Sequence, residues 1–151
     1  MLFRSVNRAI QAKTPATSAA SLLTASELLL QISNTAPYKS AVYQYFLNDL
    51  SKRGDLNLRE RMQLINLYFK CDAVKEAEAA CQTLLMANMS PDAKAELCFK
   101  FAEIEKELGK IQEAREAIAL AFRNDPRHAS ELVGQEPGKS LYQRLYPARA
   151  R

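Results

Sequence analysis

Apolar residues recur at helical spacing along most of this chain, and the recurrence itself repeats. In RMQLINLYFKCDAVKEAEAACQTLLMANMSPD (61–92) and ELCFKFAEIEKELGKIQEAREAIALAFRNDP (96–126), apolar side chains return at i, i+3, i+4 and i+7, the pattern of helices with one buried stripe. Placing Lys75-Glu76-Ala77 over Gln112-Glu113-Ala114 aligns the stretches at an offset of 37 residues, a length that suits one helical hairpin per repeat. Each stretch reads as a helix, a tight turn at Cys71-Asp72 or Gly109-Lys110, and a second helix ending near a proline. Gly109 suits the left-handed residue that closes a helix C-terminus. Ser90-Pro91-Asp92 reads as a helix start, with Ser90 as N-cap and Pro91 in the first position. Asp125-Pro126 ends the helix before it.

The stripes name a core. Leu64, Ile65, Tyr68 and Phe69 are expected to face Val74, Ala77, Cys81, Leu84 and Leu85, and Leu97, Phe101, Ile104 and Leu108 to face Ile111, Ala114, Ile118, Ala121 and Phe122. Small Ala77 and Ala114 allow paired helices to approach closely. Upstream, SELLLQISN (26–34) and YKSAVYQYFLNDLSKRG (38–54) read as two further helices separated by Ala36-Pro37. Downstream, Gly134, Pro137, Gly138 and Pro147 predict a short helix followed by an extended tail.

Composition supports an all-α fold. The chain has 151 residues, 48% of them apolar, enough for one core. Trp is absent, Gly is scarce, and Ala, Leu, Glu, Lys, Gln and Arg dominate, residues that lose little side-chain freedom in a helix. No apolar run approaches the ~20 residues that span a bilayer, so no integral membrane segment is expected.

The net charge of +4 sits in the tails. Residues 1–26 carry Arg4, Arg8 and Lys13 without an acid, and residues 137–151 carry Lys139, Arg144, Arg149 and Arg151 without one. The middle holds 14 of the 21 basic residues and all 17 acidic ones, a net −3. That balance disfavours a phosphate-binding surface.

Catalytic chemistry has no foothold in the motifs. There is no P-loop, GxGxxG, HExxH or GxSxG, so an enzyme is not expected and no cofactor is implied. Cys71, Cys81 and Cys98 form no CxxC and read as reduced thiols packed in a core. His128, beyond a helix end, reads as a solvent or interface residue; with three scattered thiols it has no metal-ligand spacing. Glu103, Glu105, Glu107, Glu113 and Glu116 alternate with Lys100, Lys106, Lys110 and Arg115, which reads as intrahelical ion pairs on a wet face.

The first segment has an address-like pattern. In MLFRSVNRAIQAK, Leu2, Phe3, Val6 and Ile10 fall on one side of a helix and Arg4, Asn7, Arg8 and Gln11 on the other, followed by Ser/Thr/Ala-rich TPATSAAS. An amphipathic, Arg-bearing, Ser-rich and acid-free start has the make-up of a mitochondrial transit peptide. An ordinary basic helix docking on a partner or membrane surface is the alternative.

On Ala102, Gly109, Ile111, Ala114, Ala121 and Asp125-Pro126, the second repeat resembles a tetratricopeptide repeat and its half-a-TPR relatives. It departs at Glu105, where that family usually has Tyr, and at Cys98, where it often has Trp. The first repeat, 35 residues from Leu58 to Asp92, is similar to a pentatricopeptide repeat in LINLYFK, VKEAEAACQTLLMANMSPD and its Ser90-Pro91-Asp92 ending. The tetratricopeptide resemblance implies a groove that binds peptides and proteins. The pentatricopeptide resemblance implies single-stranded RNA, read one base per repeat. The implied reading positions are Met62 and Asp92, and Met offers no base-edge donor or acceptor. Two base contacts at ~1–3 kcal/mol each make RNA reading by this chain alone weak.

The expectation is therefore an all-α, short α-solenoid of stacked helical hairpins with extended basic N- and C-terminal segments. Residues 1–20 form the targeting-like segment, 21–134 the helical repeat domain with its clearest repeats at 58–92 and 93–127, and 135–151 the extended basic tail. A short solenoid leaves its end helices to be capped by its own tails or by a larger assembly. The expected role is a non-catalytic accessory subunit of a mitochondrial multiprotein complex, on the matrix side, binding partner subunits. ATP synthase or a respiratory complex leads, because accessory subunits built from such repeats occur in some protist ATP synthases. A ribosomal subunit or an RNA-associated pentatricopeptide-like factor is the alternative. Candidate partner-binding residues are Lys70 and Lys100 near the repeat groove, and Tyr142, Arg144, Leu145 and Tyr146 in the tail, since Tyr and Arg are enriched at interface cores.

Overall fold

Wherever an apolar stripe of helical period meets a capping residue, the chain forms a helix. The computed structural model describes residues 4–14 and 17–148. Leu2 and Phe3 of the first amphipathic segment, and Arg149 and Arg151 of the basic C-terminal segment, lie outside the described residues. Among the described residues all regular structure is helical and there is no strand. No described helix is long and apolar enough to cross a membrane. The chain divides into two compact units, Met1–Ala77 and Glu78–Arg151, so the division falls inside the region read as one repeat domain.

The first unit is built around α2 (Ala19–Ile32), which packs against α1 (Arg4–Ala12) and α5 (Leu58–Lys70). Between α2 and α5 runs a helical stretch in three pieces: α3 (Ala36–Val42), a wider π-helical turn (Tyr43–Leu47) and α4 (Asn48–Ser51). Ser18 starts α2 by accepting a hydrogen bond from the Ser21 amide. Asn57 and Glu60 start α5 with a reciprocal pair, each side chain accepting from the other's amide. Val6, Leu22, Leu23, Leu29, Val42, Phe46, Leu47, Leu50, Ile65 and Leu67 fill the core. In α1 the polar and apolar sides divide as the sequence predicts, with Val6 buried and Arg4, Asn7, Arg8 and Gln11 exposed. Lys13 fastens the end of that segment: its Nζ donates to the Tyr45 carbonyl at 2.6 Å, pairs with Asp49 at 3.3 Å, and sits over the Phe46 ring. At the end of α5, Asp72 takes a positive φ of 62°, and α6 (Val74–Leu85) follows and continues into the second unit.

The second unit is a helical hairpin with two short helices on it. α7 (Pro91–Glu107) and α8 (Ile111–Asn124) pack along their length. Their contact is lined by Ala95, Ala102, Ala114, Ala117 and Ala121, all buried, with Cys98 and Ile118. Ser90 is the N-cap residue of α7 and Pro91 its first position, as expected, although the Ser90 side chain makes no capping bond to the helix. Gly109 turns the hairpin at φ 78°. Asp125 both ends α8 and starts α9 (Pro126–Val133), its carboxylate accepting from the His128 amide at 3.0 Å.

Two expectations are corrected. Residues 135–151 are not extended throughout: Gly138–Leu145 form α10. Leu141 and Leu145, four residues apart, bury against the hairpin core and outweigh the breakers around them. Gly138, read as a breaker, sits at the start of α10 against the Leu132 carbonyl, which a Cβ there would strike. Ile111, expected in the core, is 40% exposed in the first turn of α8, where a stripe one turn further along already fills the contact. Gly138→Ala should lower stability by about 1–3 kcal/mol in urea unfolding, with α10 amides losing hydrogen-exchange protection first. An unchanged midpoint with unchanged protection would contradict this close approach.

Candidate partner-binding surface

The outer face of α2 has the chemistry of an interface. One side of this helix supplies Leu22, Leu23, Ser26 and Leu29 to the core, where the Ser26 hydroxyl is satisfied by donating to the Leu22 carbonyl at 2.8 Å. The other side is also apolar. Leu28 is 53% exposed and Ile32 60% exposed, and small Ala20, Ser21, Thr24 and Ala25 beside Leu28 line a shallow depression of about 420 Å³. Glu27 is the sole charged residue in α2. A helix apolar on both faces is ordinarily covered on both faces.

A second concavity in the first unit, about 410 Å³, lies between α3 and the turn after α5. Its polar groups already satisfy one another: Lys39 pairs with Asp72 at 2.9 Å, and the Tyr43 hydroxyl donates to Glu76 at 3.2 Å. Burial pushes the Cys71 thiol on its wall up to about 11, which favours the neutral thiol over the reactive thiolate near neutral pH. Burial likewise pushes Cys81 up to about 12 and Cys98 up to about 11. Among the described residues no group of three or more His, Cys, Asp or Glu side chains converges as a metal site.

The six residues singled out in the sequence are scattered in environment. Lys70 is exposed on the last turn of α5 but does not line the adjacent concavity. Lys100 is half-buried and bonded to Glu103 at 2.9 Å. In α10, Leu145 is 0% exposed, so it is a core residue and not available to a partner. Tyr142 is half-buried and stacks on Tyr146 at 4.8 Å between ring centres. Arg115 lies over the Tyr146 ring and donates to the Leu145 carbonyl at 2.9 Å, while the Tyr146 hydroxyl donates back to the Arg115 carbonyl. This aromatic–Arg cluster therefore closes mainly on its own chain. Arg144 is exposed and borders a small charged cleft with Glu103, Lys106, Glu107 and Glu136.

Sequence reasoning missed the outer face of α2, although its signal is present: Leu28 and Ile32 are four residues apart and off the stripe of Leu22 and Leu29. It also misplaced Glu105, counted on a wet face but 2% exposed. His128 is not free in solvent either. Its Nε2 lies 2.9 Å from Glu96 on α7 and its Nδ1 3.4 Å from Glu131 on α9. No protein-family model matches the chain, and neither a curated protein nor a solved structure matches it.

The Glu96 hydrogen bond, with Glu131 second, holds the His128 imidazolium above its ordinary pKa. A pKa raised in the folded state stabilises the protein fully below the unfolded value, near 6.5, and that stabilisation is lost as pH rises through the folded value. His128→Gln should therefore destabilise the protein at pH 5.5 and have little effect at pH 9, read by urea unfolding across pH. An equal effect at both pH values would show that the imidazolium pairs contribute nothing.

Proposed function

We propose that this chain is a non-catalytic accessory subunit of a mitochondrial multiprotein complex, bound to partner subunits through the outer face of α2. The exposed Leu28 and Ile32 on a helix already buried on its opposite face carry this reading. Covering these two side chains is worth roughly 2 kcal/mol, which a partner helix or sheet face gains and water does not. A short solenoid of tetratricopeptide- or pentatricopeptide-like hairpins is the architecture proposed for the chain. Its support is that the 37-residue repeat extends to the backbone: Asp72 and Gly109 occupy equivalent positions and both have positive φ. Ala77 and Ala114, also equivalent, are both fully buried.

Residues 1–20 act, in this proposal, as a mitochondrial address, on the strength of their amphipathic, Arg-bearing and acid-free make-up. Among candidate assemblies, ATP synthase or a respiratory complex is preferred to a ribosome or an RNA factor, because the acidic balance of the chain's middle and Met62 at an RNA-reading position disfavour RNA.

Native-gel complexome profiling of mitochondria, with and without RNase, tests the proposal. Co-migration with a large complex, unchanged by RNase, is the expected result. A Leu28→Glu, Ile32→Glu double variant should fold normally, since both side chains are exposed, yet leave the complex, with affinity reduced on the order of 30-fold or more. Migration as a free monomer sinks the subunit reading, and loss of the large species on RNase treatment replaces it with the RNA-associated one.

A further inference from the structure

Glu105 is a buried acid in a place where the first repeat has an aromatic ring. It stands 37 positions after Tyr68, on the inner side of α7, and is 2% exposed. Its Oε1 has no hydrogen-bond partner. Its Oε2 is 4.0 Å from Lys110 Nζ, but that ammonium is closer to Glu78, at 2.9 Å from Oε2. The position of Lys110 is fixed by its backbone amide, which donates to the Glu105 carbonyl at 2.8 Å.

Charges and titratable groups reach Glu105 from each neighbouring element. α6 presents Glu78 within hydrogen-bonding reach, the hairpin turn presents Lys110, and α8 presents Glu113. Cys81 on α6 also faces it, but its thiol is held neutral. The Lys110 ammonium faces all three carboxyls and sits nearest Glu78, the more accessible of the inner pair. When both members of that pair are ionised, a desolvated carboxylate with a bare oxygen faces a second carboxylate, an arrangement that costs far more inside a protein than in water. When one proton is shared, the protonated carboxyl donates to the other and becomes a bond between α6 and α7.

We propose that the Glu78–Glu105 carboxyl pair is a proton-operated clasp that holds the Glu78–Leu85 part of α6 against the α7–α8 hairpin. The clasp closes when the pair carries one proton and loosens when that proton passes to solvent. Under the loosened clasp lie the Cys81 thiol, whose contact with the Leu97 carbonyl at 3.8 Å joins the same two helices, and the apolar side chain of Leu84. Burial first, then Glu78 and Glu113, push Glu105 up to about 7, so opening and closing fall near neutral pH. A raised folded-state pKa means that the stabilisation is complete below the unfolded carboxyl value and disappears as pH rises through about 7.

Hydrogen exchange of the α6 amides from Glu78 to Leu85, in the full chain and corrected for intrinsic rates, tests this at pH 5.5 and pH 8.5. Wild type should lose protection on the order of tenfold at the higher pH. Glu105→Gln, a neutral isostere that keeps a donor toward Glu78, should show equal and high protection at both. Glu78→Gln should flatten the pH response as well, and it decides the matter if the Glu105 variant does not fold, because Glu78 lies nearer the surface. An unchanged pH response in the variants, or no response in wild type, overturns the clasp.

Discussion

The second unit depends on how closely α7 and α8 approach. Ala95, Ala102, Ala114, Ala117 and Ala121, all buried, leave little side chain between the two backbones. Each alanine loses only a small amount of apolar surface to solvent, yet the close contact brings many backbone atoms into dispersion range. Larger side chains then pack around this seam: Phe99, Leu141 and Leu145 close its sides. The two short helices α9 and α10 follow from that arrangement, since they supply the apolar cover that a bare two-helix hairpin lacks.

The first unit meets the same need with bulk. Around α2 the contacts come from Leu22, Leu23, Leu29, Phe46, Leu47 and Leu50, and a π-helical turn at Tyr43–Leu47 shifts the helical register so that Phe46, Leu47 and Leu50 all point inward. Wider turns of this kind re-aim side chains that a regular helix would spread over several faces. The cost is that α2 carries more apolar surface than its own unit covers. Leu28 and Ile32 are what remains, and they connect the packing of this unit to its proposed role.

Much of this was legible in the sequence because it is local. The hairpin turns at Asp72 and Gly109, the start of α7 at Pro91 and the buried Ala77 and Ala114 all follow from spacing and from the few residues that tolerate a given backbone. What was not legible was decided by tertiary competition. Gly134, Pro137, Gly138 and Pro147 argued for an extended tail, but Leu141 and Leu145 had a core to reach and formed α10. The Tyr–Arg cluster of that segment looked like an interface in the sequence because nothing local shows that Arg115, some thirty residues earlier, will sit beneath Tyr146. The α2 face was hidden for the opposite reason: three consecutive leucines satisfy any helical stripe, and only the packed structure separates Leu28 from its neighbours.

Glu105 belongs to neither class. Its helical register, three residues after Ala102 and seven after Cys98, places it on the buried side of α7, and the interleaved lysines only concealed this. The equivalent Tyr68 fills its position with an aromatic ring and directs its hydroxyl toward the Leu47 carbonyl, so the hairpin fold does not itself require an acid there. A sequence consistent at every other level of the hairpin, from alanine seam to turn glycine, departs from consistency at one inner position. Such departures ordinarily cost stability and persist where they do something other than hold the fold together. The neighbouring Glu78 and Lys110 supply a specific second half for that role: they give the buried carboxyl one state in which it joins two helices and another in which it separates them.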